Sequence, residues 1–143
     1  MRTVRDEAGT RLLVVEESGE SVRVRDPETG EERYVRKDRL DAVDGNSPLV
    51  TAARGIPEPH RRLLTAVHDE RALGLLVELD ERGPLAVTTL LSSYDLCESD
   101  LHGLLGEFRA ADLVAETTVG GVRGYETTPA ASSALEALSD AER

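Results

Sequence analysis

The sequence is poor in the residues that form disulfides, large aromatic cores and membrane spans. Its 143 residues include one cysteine, one phenylalanine and no tryptophan, and Cys97 alone cannot form an internal disulfide. No apolar run approaches the ~20 residues that a helix needs to cross a bilayer. Residues 1–6 lack the apolar core of a signal peptide and lead into the first strand. These absences predict a soluble, cytoplasmic protein that does not associate with membranes.

Basic charge is also scarce. Lys37 is the only lysine, and 28 acidic residues outnumber 17 basic ones, for a formal net charge of -11. Apolar runs such as 12–15 and 73–77 recur along the chain and indicate a folded protein rather than a disordered one. This acid-rich, lysine-poor composition resembles that of proteins from salt-adapted archaea, whose acidic surfaces stay soluble because molar salt screens their repulsion. On that resemblance the net charge does not exclude DNA as a partner.

The pattern of short apolar runs changes near residue 44. Between residues 4 and 40, β-branched runs are separated by turn residues, including Gly19 and Gly30, which is typical of an antiparallel meander of three or four strands. Glycine, serine and proline then cluster in 45–56, which we interpret as a linker with a short helical turn. Helical spacing begins at residue 57. The sequence therefore predicts an α+β protein with a small β domain over 1–44 and a second domain over 57–143.

The second domain is predicted to alternate helices with short strands. The expected elements are a helix over 70–82, a strand over 85–87, a helix over 88–93, a third helix from residue 98, strands over 114–119 and 122–128, and a helix over 130–138. In the third helix the apolar residues at positions i, i+3, i+4 and i+7 predict one buried face; they are Leu101, Leu104, Leu105 and Phe108. Gly120 and Gly121 suit a tight hairpin turn between the two strands.

Residues 90–116, with the sequence LLSSYDLCESDLHGLLGEFRAADLVAE, and the Gly-Gly hairpin that follows resemble the winged helix-turn-helix of the MarR and ArsR families of transcription regulators. Cys97 occupies the position of the cap before the third helix, and residues 111–114 match the exit into the wing. The resemblance covers about half of the chain. It implies a regulator that binds double-stranded DNA, probing it with the third helix and the wing. Two copies are needed to cover two half-sites, which predicts a homodimer.

Several side chains are candidates for DNA contact. On the third helix and the wing they are Ser99, His102, Gly103, Arg109, Arg123 and Tyr125. Before them in the chain, Arg61 and Arg62 form a basic pair that could approach phosphates. Each has a simpler interpretation as a solvated surface residue, and Arg123 could instead pair with Glu116 or Glu126.

The charge of the third helix favours a second hypothesis. Glu98, Asp100 and Glu107 outnumber the single base Arg109 on this helix, so its surface would also suit a basic protein partner. The chain would then be a protein-interaction module built on a winged-helix scaffold. No catalytic motif is recognisable, and Cys97 lacks the companions of a structural zinc site. Both hypotheses therefore describe a protein that is not an enzyme and that has neither a metal nor a cofactor.

Overall fold

A computed structural model describes residues 1–45 and 47–140 and confirms the predicted α+β class. The chain forms two compact units, Met1–Glu58 and Pro59–Arg143. Two parts of the predicted domain scheme lie outside the described residues, namely Asn46 in the predicted linker and residues 141–143 at the C-terminal end.

The first unit is built on one antiparallel sheet. Its strands are β1 (Arg2–Arg5), β2 (Arg11–Ser18), β3 (Ser21–Arg25), β4 (Glu32–Arg36) and β5 (Asp41–Ala42). Four strands follow one another as the predicted meander, and the fifth returns to pair with β1, in the order β4-β3-β2-β1-β5. Alternating valine and leucine residues form a core on one face of this sheet. The fifth strand is an addition to the predicted meander.

The segment predicted as a linker belongs to this first unit. Ser47 caps the helix α1 (Pro48–Ala52) by accepting a hydrogen bond from the backbone N–H of Leu49. The helix packs on β1 and β2, where the hydroxyls of Thr51 and Thr3 lie 2.7 Å apart and are buried. A buried hydrogen bond of this kind favours a fixed position of the helix on the sheet.

The second unit contains the elements predicted for a winged helix. They are α3 (Glu70–Arg82), β6 (Leu85–Ala86), α4 (Val87–Ser93), α5 (Glu98–Ala110), β7 (Val114–Val119), β8 (Val122–Thr127) and α6 (Pro129–Asp140), and they follow α2 (Glu58–Ala66), which begins at the boundary of the two units. The strands form a small antiparallel sheet in the order β6-β8-β7. In this arrangement α4 and α5 are the helix-turn-helix, and the hairpin of β7 and β8 is the wing. Among the described residues, no helix has the length and apolar character required to span a membrane.

The core of the second unit lies under α5. Leu101, Leu105 and Phe108 are almost fully buried. Leu104, predicted to share this stripe equally, is only partly buried. Like Leu104, Leu64 of α2 is not fully buried, and it is 65% exposed. Both residues lie at the edge of their stripe, where a neighbouring helix does not cover them completely.

Candidate nucleic-acid interface

Helix α5 presents one polar face to solvent. Cys97 caps its first turn, because its Sγ accepts the backbone N–H of Asp100 at 3.4 Å. The buried stripe of the helix turns the opposite side outward, so that Ser99, His102 and Gly103 are exposed. These three residues thus lie together on the surface that a recognition helix offers to the major groove. Their contact with DNA stays a prediction.

The three acidic residues of α5 each lie within 4 Å of an arginine or histidine side chain. Asp100 lies 3.5 Å from Arg71 of α3, and Glu107 lies 3.8 Å from the imidazole of His68. Glu98 lies 3.7 Å from His102, one turn along the same helix. Exposed pairs of this kind contribute little to stability. Of the three partners only Arg71 is permanently charged, so it reduces the field of Asp100 while the helix surface remains acidic.

The wing ends in the predicted Gly-Gly turn. Gly120 and Gly121 both have positive φ, 59° and 83°, as the two central residues of a type I′ hairpin require. Arg123 follows the turn on β8, and its side chain is 55% exposed. Its guanidinium lies 6.0 Å from the centre of the Tyr125 ring, within the range of a weak cation–π contact. The fold therefore places an accessible cation close to the tip of the wing.

Tyr125 does not share that accessibility. Its side chain is part of the core, the residue is 3% exposed, and its hydroxyl donates to the Glu116 carboxylate at 3.3 Å. In the folded chain Tyr125 has a packing role, and its contact with DNA stays a prediction. Strand alternation places Tyr125 on the same face of β8 as Arg123, and at Tyr125, farther from the Gly-Gly turn, that face packs on the core.

Glu116 is the residue whose importance was least visible in the sequence. The register places it opposite Tyr125 on β7, and its Oε1 lies 3.0 Å from Nη1 of Arg109 and 4.0 Å from Nε of Arg123. Two possible partners of Arg123 were open from the sequence. Glu126 pairs with Ala115, and alternation places it on the other face of the hairpin. The partner is therefore Glu116.

Arg61 and Arg62 form the basic pair on α2, and Arg62 makes an ion pair with a residue of the helix-turn-helix region. Nη1 of Arg62 lies 2.8 Å from the Asp112 carboxylate, just beyond the C-terminal end of α5. Asp112 has a positive φ of 58°, a conformation common for the residue that follows a helix. Arg61, which precedes Arg62 in the chain, is half-buried. This arrangement favours a bracing role for Arg62, and phosphate contact by either residue stays a prediction.

Residues that could hold a metal ion are not gathered in one place. In the part of the chain that the structure describes, no three His, Cys, Asp or Glu side chains form a group that could bind one. The sulfur of Cys97 lies 3.4 Å from the hydroxyl of Ser99, and the two form a hydrogen bond. Cys97 caps the start of α5, Asp100 lies 3.5 Å from Arg71, and His102 lies 3.7 Å from Glu98.

Comparisons with known proteins address the fold and the family. HlyU, a transcriptional regulator from Vibrio vulnificus CMCP6, has a TM-score of 0.51 at 22% identity, over 66% of this chain and 98% of that one. An ArsR family transcriptional regulator has a TM-score of 0.44 at 21% identity, over 61% and 89% of the two chains. At this identity the likeness to HlyU establishes the winged-helix fold alone.

No curated protein matched the sequence significantly. A family model described as a family of unknown function, DUF7346, matches residues 1–139. That match extends through both compact units, so it includes the N-terminal sheet as well as the winged helix. The chain belongs to this family of unknown function, DUF7346.

Proposed function

We propose that this protein is a transcription regulator that binds double-stranded DNA through its winged helix. The proposal rests on one observation: an exposed polar face on α5 and an exposed Arg123 on the wing occur in the same unit. A recognition helix and a wing of this kind contact a major groove and the adjacent backbone. HlyU is a transcriptional regulator, and its similar fold supports the same function for this chain. Such a protein works in the compartment of the DNA, the cytoplasm, without enzymatic activity.

Replacement of Arg123 by alanine tests the proposal. An arginine at the wing tip mainly neutralises phosphate, so Arg123→Ala should weaken binding to all DNA sequences alike and lower the slope of log affinity against log salt by about 0.9. Fluorescence anisotropy of a labelled duplex over a salt series measures both quantities. Arg36→Ala in the N-terminal sheet is a matched control, because it removes an exposed arginine that pairs with Asp38. Equal effects of the two substitutions would contradict a specific role for the wing.

We further propose that the functional protein is a homodimer. Leu64, Leu73 and Leu138 come from α2, α3 and α6, are all substantially exposed, and surround a groove of about 330 Å³ that Val67 also lines. Exposed apolar surface gathered from three helices is typical of a protein interface. A second copy would cover it and present two recognition helices to two half-sites. Adaptation to high salt belongs to this proposal, since screening allows two acidic chains to associate.

Leu64→Asp should disrupt the dimer. The side chain is 65% exposed, so the substitution should change the stability of one chain little while placing a charge in the interface. Size-exclusion chromatography with light scattering in molar salt should give twice the chain mass of 15.5 kDa for the wild type and once that mass for the variant. Leu49→Asp, at a leucine that is 78% exposed in the first unit, should stay dimeric. A wild-type protein that is monomeric at every salt concentration would reject the dimer.

The alternative is a protein-interaction module. The acidic surface of α5, with Glu98, Asp100 and Glu107 all exposed, specifically favours a basic partner. The anisotropy titration with DNA distinguishes the regulator from the interaction module. Absence of DNA binding by the wild type at every salt concentration would leave the interaction module as the better proposal.

A further inference from the structure

One carboxylate lies between the recognition helix and the wing. Oε1 of Glu116 lies 3.0 Å from Nη1 of Arg109 on α5 and 4.0 Å from Nε of Arg123 on β8. The same oxygen accepts the hydroxyl of Tyr125 at 3.3 Å, which restricts where the carboxylate can move. Arg109 and Arg123 are the two cations proposed to reach DNA from these elements. A single anion therefore faces both of them.

Carboxylate and phosphate oxygens are equivalent partners for a guanidinium group. The Glu116 side chain is 40% exposed, and those of Arg109 and Arg123 are 51% and 55% exposed. A DNA phosphate can thus reach the same guanidinium groups that Glu116 now faces. Resting on the DNA-binding function proposed above, we infer that Glu116 is an internal counter-anion that competes with phosphate for Arg109 and Arg123. It thereby limits the affinity for DNA and sets its salt dependence.

The charges of Arg109, Arg123 and Glu116 predict the size of the effect on the salt dependence. Two arginines and one glutamate carry a net charge of about +1, and glutamine at position 116 would raise it to about +2 while keeping an oxygen that accepts from Tyr125. One further uncompensated cation should steepen the slope of log affinity against log salt by about 0.9. For proteins that bind equally at 1 M salt, this corresponds to roughly eightfold tighter binding at 0.1 M.

The experiment compares full-length wild type, Glu116→Gln and Glu126→Gln on one fluorescein-labelled DNA duplex by anisotropy over a salt series. Glu126→Gln is the matched control. It removes the same charge from the same hairpin, but Glu126 pairs with Ala115 and lies on the opposite face from Arg123. Its slope should stay at the wild-type value. A purely structural role of Glu116 would change the melting temperature without steepening the slope, so thermal melts of all three proteins accompany the titrations.

Tighter binding and a steeper slope for Glu116→Gln alone would support the inference. If the wild type binds DNA and Arg123→Ala weakens it, but Glu116→Gln binds equally or more weakly, the inference is wrong and the proposed function stands. The same steepening in Glu126→Gln would also overturn it, because the effect would then be one of net charge. If none of the proteins binds DNA at any salt concentration, both the function and the inference fail.

Discussion

Phe108→Ala is expected to destabilise the winged helix by about 3–5 kcal/mol, the usual cost of truncating a buried phenylalanine. Phe108 is the only phenylalanine in the chain and is 0% exposed. Its carbonyl also accepts the backbone N–H of Leu113, which holds the turn from α5 into the wing. A cavity at this point removes contacts from the centre of the unit, and small domains have only about 5–15 kcal/mol of stability in total.

Leu104→Ala supplies the matched comparison on the same helix. Leu104 is only partly buried and lines a surface groove with Ser99 and Gly103, so its truncation should cost less than about 2 kcal/mol, below the range for a fully buried leucine. Denaturant unfolding followed by circular dichroism in molar salt gives both values. Equal shifts for the two variants would mean that α5 does not bury the face formed by Leu101, Leu105 and Phe108.

Gly124→Ala is expected to have the second largest effect. An added Cβ at Gly124 would lie 2.6 Å from the carbonyl oxygen of Leu85 and 2.8 Å from Cγ2 of Val119. The first of these atoms is backbone of β6, whose Ala86 pairs with Gly124. The strands must therefore separate, and overpacking of this kind costs about 1–3 kcal/mol. A lower melting temperature and loss of amide protection in β6 would be the observed result.

Gly74→Ala distinguishes this clash from a general effect of removing glycine. A Cβ at Gly74, inside α3, meets no atom within 4 Å among the described residues. Because alanine is favoured over glycine by about 1 kcal/mol within a helix, this substitution should stabilise the protein. Gly124→Ala with unchanged stability would show that the Leu85 carbonyl of β6 does not lie within contact distance of a Cβ at position 124 of β8.

Local signals in the sequence were sufficient for the elements of the winged helix. The predicted helix over 70–82 matches α3 at both ends, because Asp69 caps it by accepting the backbone N–H of Ala72 and Gly83 follows it with a positive φ. The wing turn was recognisable because two adjacent glycines suit positive φ. Helix periodicity and turn chemistry depend on residues close together in the chain, and so they are readable without the fold.

The arrangement of the candidate site could not be predicted in the same way, because it depends on contacts between residues that are distant in the chain. Strand β5 has two residues and forms only by pairing with β1. No local sequence pattern predicts a strand of this length. The inward position of Tyr125 and the choice of Glu116 over Glu126 as partner of Arg123 follow from the register of β7 and β8. A change of register by one residue exchanges the two faces of a strand. The sequence by itself therefore determined the helices, the turns and the winged-helix order, while only the tertiary structure decided which charged side chains meet, because register and packing are properties of paired elements.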